Sequence, residues 1–212
     1  MPADTDIGNM ALSRLGTRAT IADLTENSTE ARQINLWYAT VRDDLQSLVD
    51  WNFNRVSQAL AASGAPPARW ASSYAYPSDC LKMRRLDFGA ASWVAGDPAS
   101  GFEIASSGSG TFLYCNEDRV SAVYAQRVTD PARFTPGFIL AFVDCLAAAV
   151  AHAITQKSDL AEMLAKRAAE RIERARADSA NEGIAQAEAD RLAQSLVVRD
   201  FDGLGDAWGG GA

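Results

Sequence analysis

Side chains that could move a proton, attack a carbonyl or hold a metal are few in this chain, and their spacing keeps them apart. His152 is the only histidine among 212 residues, so no two-histidine metal site can form within one chain. It closes the stretch Thr135 to Ala153, where Asp144 lies roughly two helical turns earlier, nearly on the same face but beyond direct hydrogen-bond reach. Cys80, Cys115 and Cys145 are odd in number and widely separated, which supports neither a disulfide framework nor a paired-cysteine metal site. Cys145 also stands too far along the helix from His152 to form a thiol–imidazole pair. Asp43 and Asp44 are adjacent on a helix and therefore diverge. The glycine-rich stretches SSGSG and GGGA lack the strand, lysine and helix that surround a phosphate loop. These residues predict no catalytic site, no cofactor and no metal.

Composition narrows the classes further. A net charge of -7 with 48% hydrophobic residues allows a proper core, and it argues against a protein whose main task is gripping phosphates with clustered Lys and Arg. The opening MPADTDIGNM lacks the basic start and apolar run of a secretory signal, so synthesis and assembly are expected in a cytoplasm.

The elements that must position everything else are helical at both ends. TPGFILAFVDCLAAAVAHA, from Thr135 to Ala153, reads as a buried helix with Thr135 as N-cap and Pro136 in its first turn. Its apolar positions Phe138, Phe142, Cys145, Leu146 and Ala149 share a side. A membrane span is not expected, because Asp144 and His152 interrupt the run and alanine makes it only weakly apolar. An earlier helix should cover Asp4 to Leu15, with Ile7, Met10, Ala11 and Leu12 as its stripe and Gly16 at its end. A second should open at Asn27 with Glu30 as reciprocal cap. Ala31, Ile34, Tyr38, Val41, Leu45 and Leu48 then carry it towards Trp51.

From Phe53 to Thr129, glycine, serine and proline punctuate short runs with strand character: RWASSYAYP, CLKMRRLDF, ASWVA, GFEIA, TFLYC and RVSAVYAQR. Strands this short need support from the helices or from neighbouring chains. In the last run, Ala122, Tyr124 and Gln126 should share one face, and Val123, Ala125 and Arg127 the other. Asp159 should cap a fourth helix that runs to about Asn181. Leu160, Met163, Leu164, Ala168, Ile172 and Ala175 mark its inner side, while Lys166, Arg167, Glu170, Arg171, Glu173, Arg174 and Arg176 form a face that is solvated or pairs across a subunit boundary.

The predicted fold class is α+β: an antiparallel bundle of about four helices with a β-rich insert and an extended C-terminal tail. The corresponding units are residues 1–52 and 130–183 for the bundle, 53–129 for the insert, and 184–212 for a short helix and the tail. Within that tail Phe201, Leu204 and Trp208, with Arg199 at its start, are spaced to dock into grooves on a partner.

The order of these pieces resembles the head-to-tail adaptor proteins of tailed bacteriophages, the family that includes tail tubular protein A. NMALSRLGTRATIADLTENSTEA followed by NLWYATVRDDLQSLVDWNFNR is similar to that family's short helix, Leu-Gly turn and long helix reaching an aromatic cluster. YAYPSDCLKMRRL, at Tyr76, Pro77, Asp79, Cys80 and Leu81, is similar to its proline-containing lead into a strand. FTPGFILAFVDCLAAAVAHAITQKSDLAEMLAKRAAERIERARADSANE is similar to its paired C-terminal helices. The glycine-rich insert and the segment after Glu182 depart from the pattern.

The resemblance implies a structural virion protein at the head–tail junction. It would form a ring, usually of about twelve copies, closed by two different patches per subunit. Its expected partners are itself, the portal protein and the tail nozzle or tail tube; the tail residues Arg199, Phe201, Leu204 and Trp208, outside the resemblance, are expected on the portal from their own spacing. DNA would pass through the lumen without sequence-specific binding, and an acidic chain would let it slide. Two other readings compete. One is a virion-associated cell-wall hydrolase working through carboxylates such as Glu103. The other is a small helical nucleic-acid-binding regulator, which the acidic balance disfavours outside Lys166 to Arg176.

Overall fold

The alanine-rich stretch does form the central helix of the protein, in a computed structural model that describes residues 2–89, 91–97, 101–108 and 110–179. Thr135 Oγ1 accepts the Phe138 N–H at 3.4 Å, Pro136 fills the first turn, and the helix, Pro136–Thr155, closes on Gln156 in the left-handed region. Among the described residues three other helices surround it. These are α1 (Asp4–Arg14), α2 (Thr29–Leu48) and the helix at 158–179, so the central one is α3 and the last α4. Ile7, Leu12, Ile34, Leu45, Phe138, Phe142, Leu146 and Leu164 are fully buried in their shared core. By length and composition α3 could cross a bilayer, yet here its buried face is covered by helices of the same chain.

Several boundaries move by a residue or more. The cap of α2 is Ser28, whose Oγ accepts the Ala31 N–H at 3.2 Å, and not Asn27. The helix ends at Leu48, short of Trp51, because Val49 turns extended and the final carbonyls are taken by a side chain. Arg84 Nη2 donates to the Ser47 and Val49 oxygens at 2.8 and 2.9 Å, placing a cation at the negative end of the helix. Trp51 then folds back, donating from Nε1 to the Leu45 oxygen at 2.9 Å. In α4 the helix already includes Ser158, so Asp159 lies in its first turn and does not cap it.

Seven strands follow α2: β1 (Arg55–Ala59), β2 (Ser72–Ala75), β3 (Cys80–Phe88), β4 (Ala91–Val94), β5 (Phe102–Ser107), β6 (Gly110–Cys115) and β7 (Ser121–Gln126). They make two antiparallel sheets, ordered β1-β7-β3-β4 and β2-β6-β5. Tyr74 and Leu113 from the second sheet meet Met83, Leu86, Ala122 and Tyr124 from the first in a core separate from the helical one. This overturns the expectation of a helical bundle carrying a β insert. The sheets are a substantial body of their own, because each supplies the apolar face that the other needs. Short strands find their support mainly in that second sheet, not only in helices or neighbouring chains.

Both faces of β7 are covered, with Ala122, Val123, Tyr124 and Ala125 all buried. Ala122 and Tyr124 enter the intersheet core, and the opposite face lies on the side where α2 passes over β3 and β7. The fully buried Gln46 ties these layers. Its Nε2 donates to the Val128 oxygen at 2.7 Å and its Oε1 accepts the Val128 N–H at 2.9 Å, as a strand neighbour would.

The motif Tyr76–Cys80 is the hinge between the sheets. Tyr76 donates its N–H to Thr111 in β6, the turn closes from Cys80 N–H to the Pro77 oxygen at 3.1 Å, and β3 begins in the other sheet. Asp79 anchors the crossing by accepting from Gln126 Nε2 at 2.7 Å and from the Tyr124 hydroxyl at 3.1 Å.

Candidate interaction surfaces

The residues nominated for chemistry do not converge. His152 is exposed near the end of α3, and the three thiols are unbridged. Burial, reinforced by Asp144 and Asp44, pushes the Cys145 thiol up to about 11. Burial also raises Cys80 and Cys115, so all three are held away from the thiolate form that attacks or ligates. Glu103, the carboxylate a hydrolase would use, is engaged by Arg69 and accepts from Trp70 Nε1 at 3.1 Å. Among the described residues no group of three His, Cys, Asp or Glu could hold a metal ion. Arg199, Phe201, Leu204 and Trp208 lie outside the described residues.

Asp144 has a different task from the one its place in an apolar run suggests. It is fully buried, and three arginines from two other helices close on it. Arg171 Nε donates to Oδ2 at 2.7 Å, Arg167 Nε lies 3.5 Å from the same oxygen, and Arg14 Nε lies 3.2 Å from Oδ1. The Arg14 approach is off the hydrogen-bond line, leaving Oδ1 without a hydrogen bond, so its pull is Coulombic. The cluster rivets α1 and α4 to α3. Six of the seven residues expected on the outer face of α4 are exposed and Arg171 is half-buried, and from that face Arg167 and Arg171 reach a carboxylate that sequence spacing could not place beside them.

What the fold does leave to solvent is apolar side chain. Leu36 is 66% exposed on α2, where Trp37 and Leu48 also face outward. Trp37 and Leu48 stand about three turns apart on one side of the helix. Leu48 was expected in the buried stripe, and Met163 on the inner side of α4 is 58% exposed instead. A second group sits on edge strands of the two sheets, Val94 on β4 and Ile104 on β5, at 56% and 41% exposure. Single apolar residues are ordinary on a surface, but several on one helix and on sheet edges mark places where partner chains can add. Leu36 falls off the three-and-four spacing of the α2 stripe, which is the signal that could have found it, whereas Trp37 keeps that spacing between Ile34 and Val41.

No protein-family model matches this chain, and no curated protein matches it either.

Proposed function

We propose that the chain is a structural assembly subunit of a tailed-phage virion, a head-to-tail adaptor that joins copies of itself in a ring between portal and tail. The observation that carries this reading is the pair of exposed apolar groups on separate elements, Leu36, Trp37 and Leu48 on α2 and Val94 and Ile104 on the sheet edges. A ring closes only if each subunit offers two different patches, one for each neighbour. The helical core and the intersheet core, joined through Gln46 and Arg84, give those patches a stiff frame. The order of elements that resembles the adaptor family supports the same reading, and DNA would pass through the ring without being read.

The test is co-sedimentation of the full chain with portal rings of the same virus. Wild-type chain is expected to travel with the rings. A Leu36→Glu/Trp37→Glu variant should keep its unfolding midpoint, because exposed positions change stability by only about 0.5 kcal/mol. Its apparent affinity should fall at least about thirtyfold, the loss typical of a central tryptophan in an interface. A folded variant that co-sediments as well as wild type would exclude the α2 face, and a wild-type chain that never co-sediments would exclude the adaptor reading.

A further inference from the structure

Where the end of α2, the start of β1, β3 and the end of α4 meet, a cleft of about 430 Å³ collects positive charge in a protein that is otherwise acidic. Arg55, Lys82, Arg84 and Arg176 line it against a single carboxylate, Asp50. Asp50 is committed to Arg55, whose Nε lies 3.1 Å from Oδ1, and Ser179 Oγ donates to the Asp50 backbone oxygen at 2.7 Å. Arg84 spends its Nη2 on neutral carbonyls, so its charge is offset only by the Asp50 that Arg55 already holds. Its buried Nε has no acceptor, the Asp50 carboxylate standing at 4.0 Å. Among the described residues no carboxylate lies within ion-pairing distance of Lys82, and Arg176 has only the exposed Glu173 at 3.4 Å. Burial lowers the Arg84 pKa; the Asp50 carboxylate opposes this, and Arg55 and Arg176 add to it.

We infer that this cleft binds a phosphate group. Three cations, Lys82, Arg84 and Arg176, line it from two elements with only Asp50, 4.0 Å from Arg84, and the exposed Glu173 on Arg176 as counter-charge, and the Arg84 Nε has no hydrogen-bond acceptor. A compact phosphate anion with acceptor oxygens in several directions satisfies them together, whereas a planar carboxylate matches one guanidinium fork. The acidity of the rest of the chain does not prevent this, because charges farther than about 10 Å are largely screened at 0.1 M salt. The phosphate can be free, as inorganic phosphate or a phosphomonoester, or part of a nucleic-acid backbone. Neither source depends on the adaptor reading.

The experiment titrates the full chain with potassium phosphate at constant ionic strength, by calorimetry and by thermal unfolding. It repeats both on a Lys82→Glu/Arg176→Glu variant, which alters two exposed positions and leaves the Arg84 cap on α2 intact. Saturable heat is expected with wild type, and a rise in Tm of about 3–6 °C at roughly ten times Kd. Both should vanish in the variant, whereas general stabilisation by phosphate as a salt would act equally on the two chains. A short DNA duplex that displaces phosphate would place the source in the nucleic-acid backbone, and one that does not would assign it to free phosphate. Absence of saturable heat, or heat and Tm shifts of equal size in both chains, would overturn the inference.

Discussion

Replacing Phe138 by alanine is expected to lower the unfolding free energy by about 3–5 kcal/mol, the range for deleting a buried aromatic ring. Phe138 is fully buried and sits where the first turn of α3 meets the segment leading into β1. Its ring lies 5.2 Å from Trp51, 5.0 Å from Phe53, 4.7 Å from Phe134 and 5.8 Å from Phe142, with the Trp51 contact edge-to-face. Those neighbours are held by backbone on two sides, so the space left by the ring cannot close cheaply. Phe138→Leu fills more of it and should cost less than half as much. Urea unfolding followed by tryptophan fluorescence measures both. An alanine variant within 1 kcal/mol of wild type would mean that the cluster is not a cooperative core.

Asp144→Ala should cost about 3 kcal/mol, the low end for breaking a buried ion pair. The low end applies because Arg14, Arg167 and Arg171 keep roughly a third or more of their side chains in solvent and can turn outward once the carboxylate is gone. Arg171→Ala should cost less, since Asp144 retains Arg14 and Arg167. That ordering, with the carboxylate worth more than any single arginine, is the signature of a shared anchor. Equal losses in Asp144→Ala and Arg171→Ala would reduce it to one pair. The variants should also lose protection of α4 amides from hydrogen exchange before those of α2, because the anchor fastens α4.

The helices were largely legible because their signals are local. Thr135 with Pro136 marks the start of α3 in three residues, and the steps from Ala31 to Leu45 trace the buried side of α2. The six runs read as strands all became strands for the same reason, although β1, lying just after the aromatic segment at Trp51, was not singled out. What sequence could not supply was pairing. β7 joins β1 across more than sixty residues and also pairs with β3, and nothing in SAVYAQ says that both of its faces will be covered. Without those partners the strands look like an insert, and only the opposed faces of Met83, Leu86, Leu113 and Tyr124 reveal a second core.

The same limit governs the surfaces. Arg167 and Arg171 keep part of their side chains in solvent, and only the place of Asp144 in space shows that they also pair with it. Met163 looks internal until the crossing of α4 turns it outward. Leu36 could have been separated from the stripe by spacing alone, whereas Trp37 shares the stripe's spacing and the exposure of Val94 and Ile104 follows from sheet order. The docking residues read from the tail, Arg199, Phe201, Leu204 and Trp208, lie beyond the described residues and await a direct test.

Electron micrographs of the full chain mixed with portal rings of the same virus bear most directly on the proposal that these surfaces serve assembly. End-on averages should show a closed ring of added density, coaxial with the portal and absent when the Leu36→Glu/Trp37→Glu chain is substituted. Bare portals beside dispersed single subunits of 22.7 kDa would contradict it.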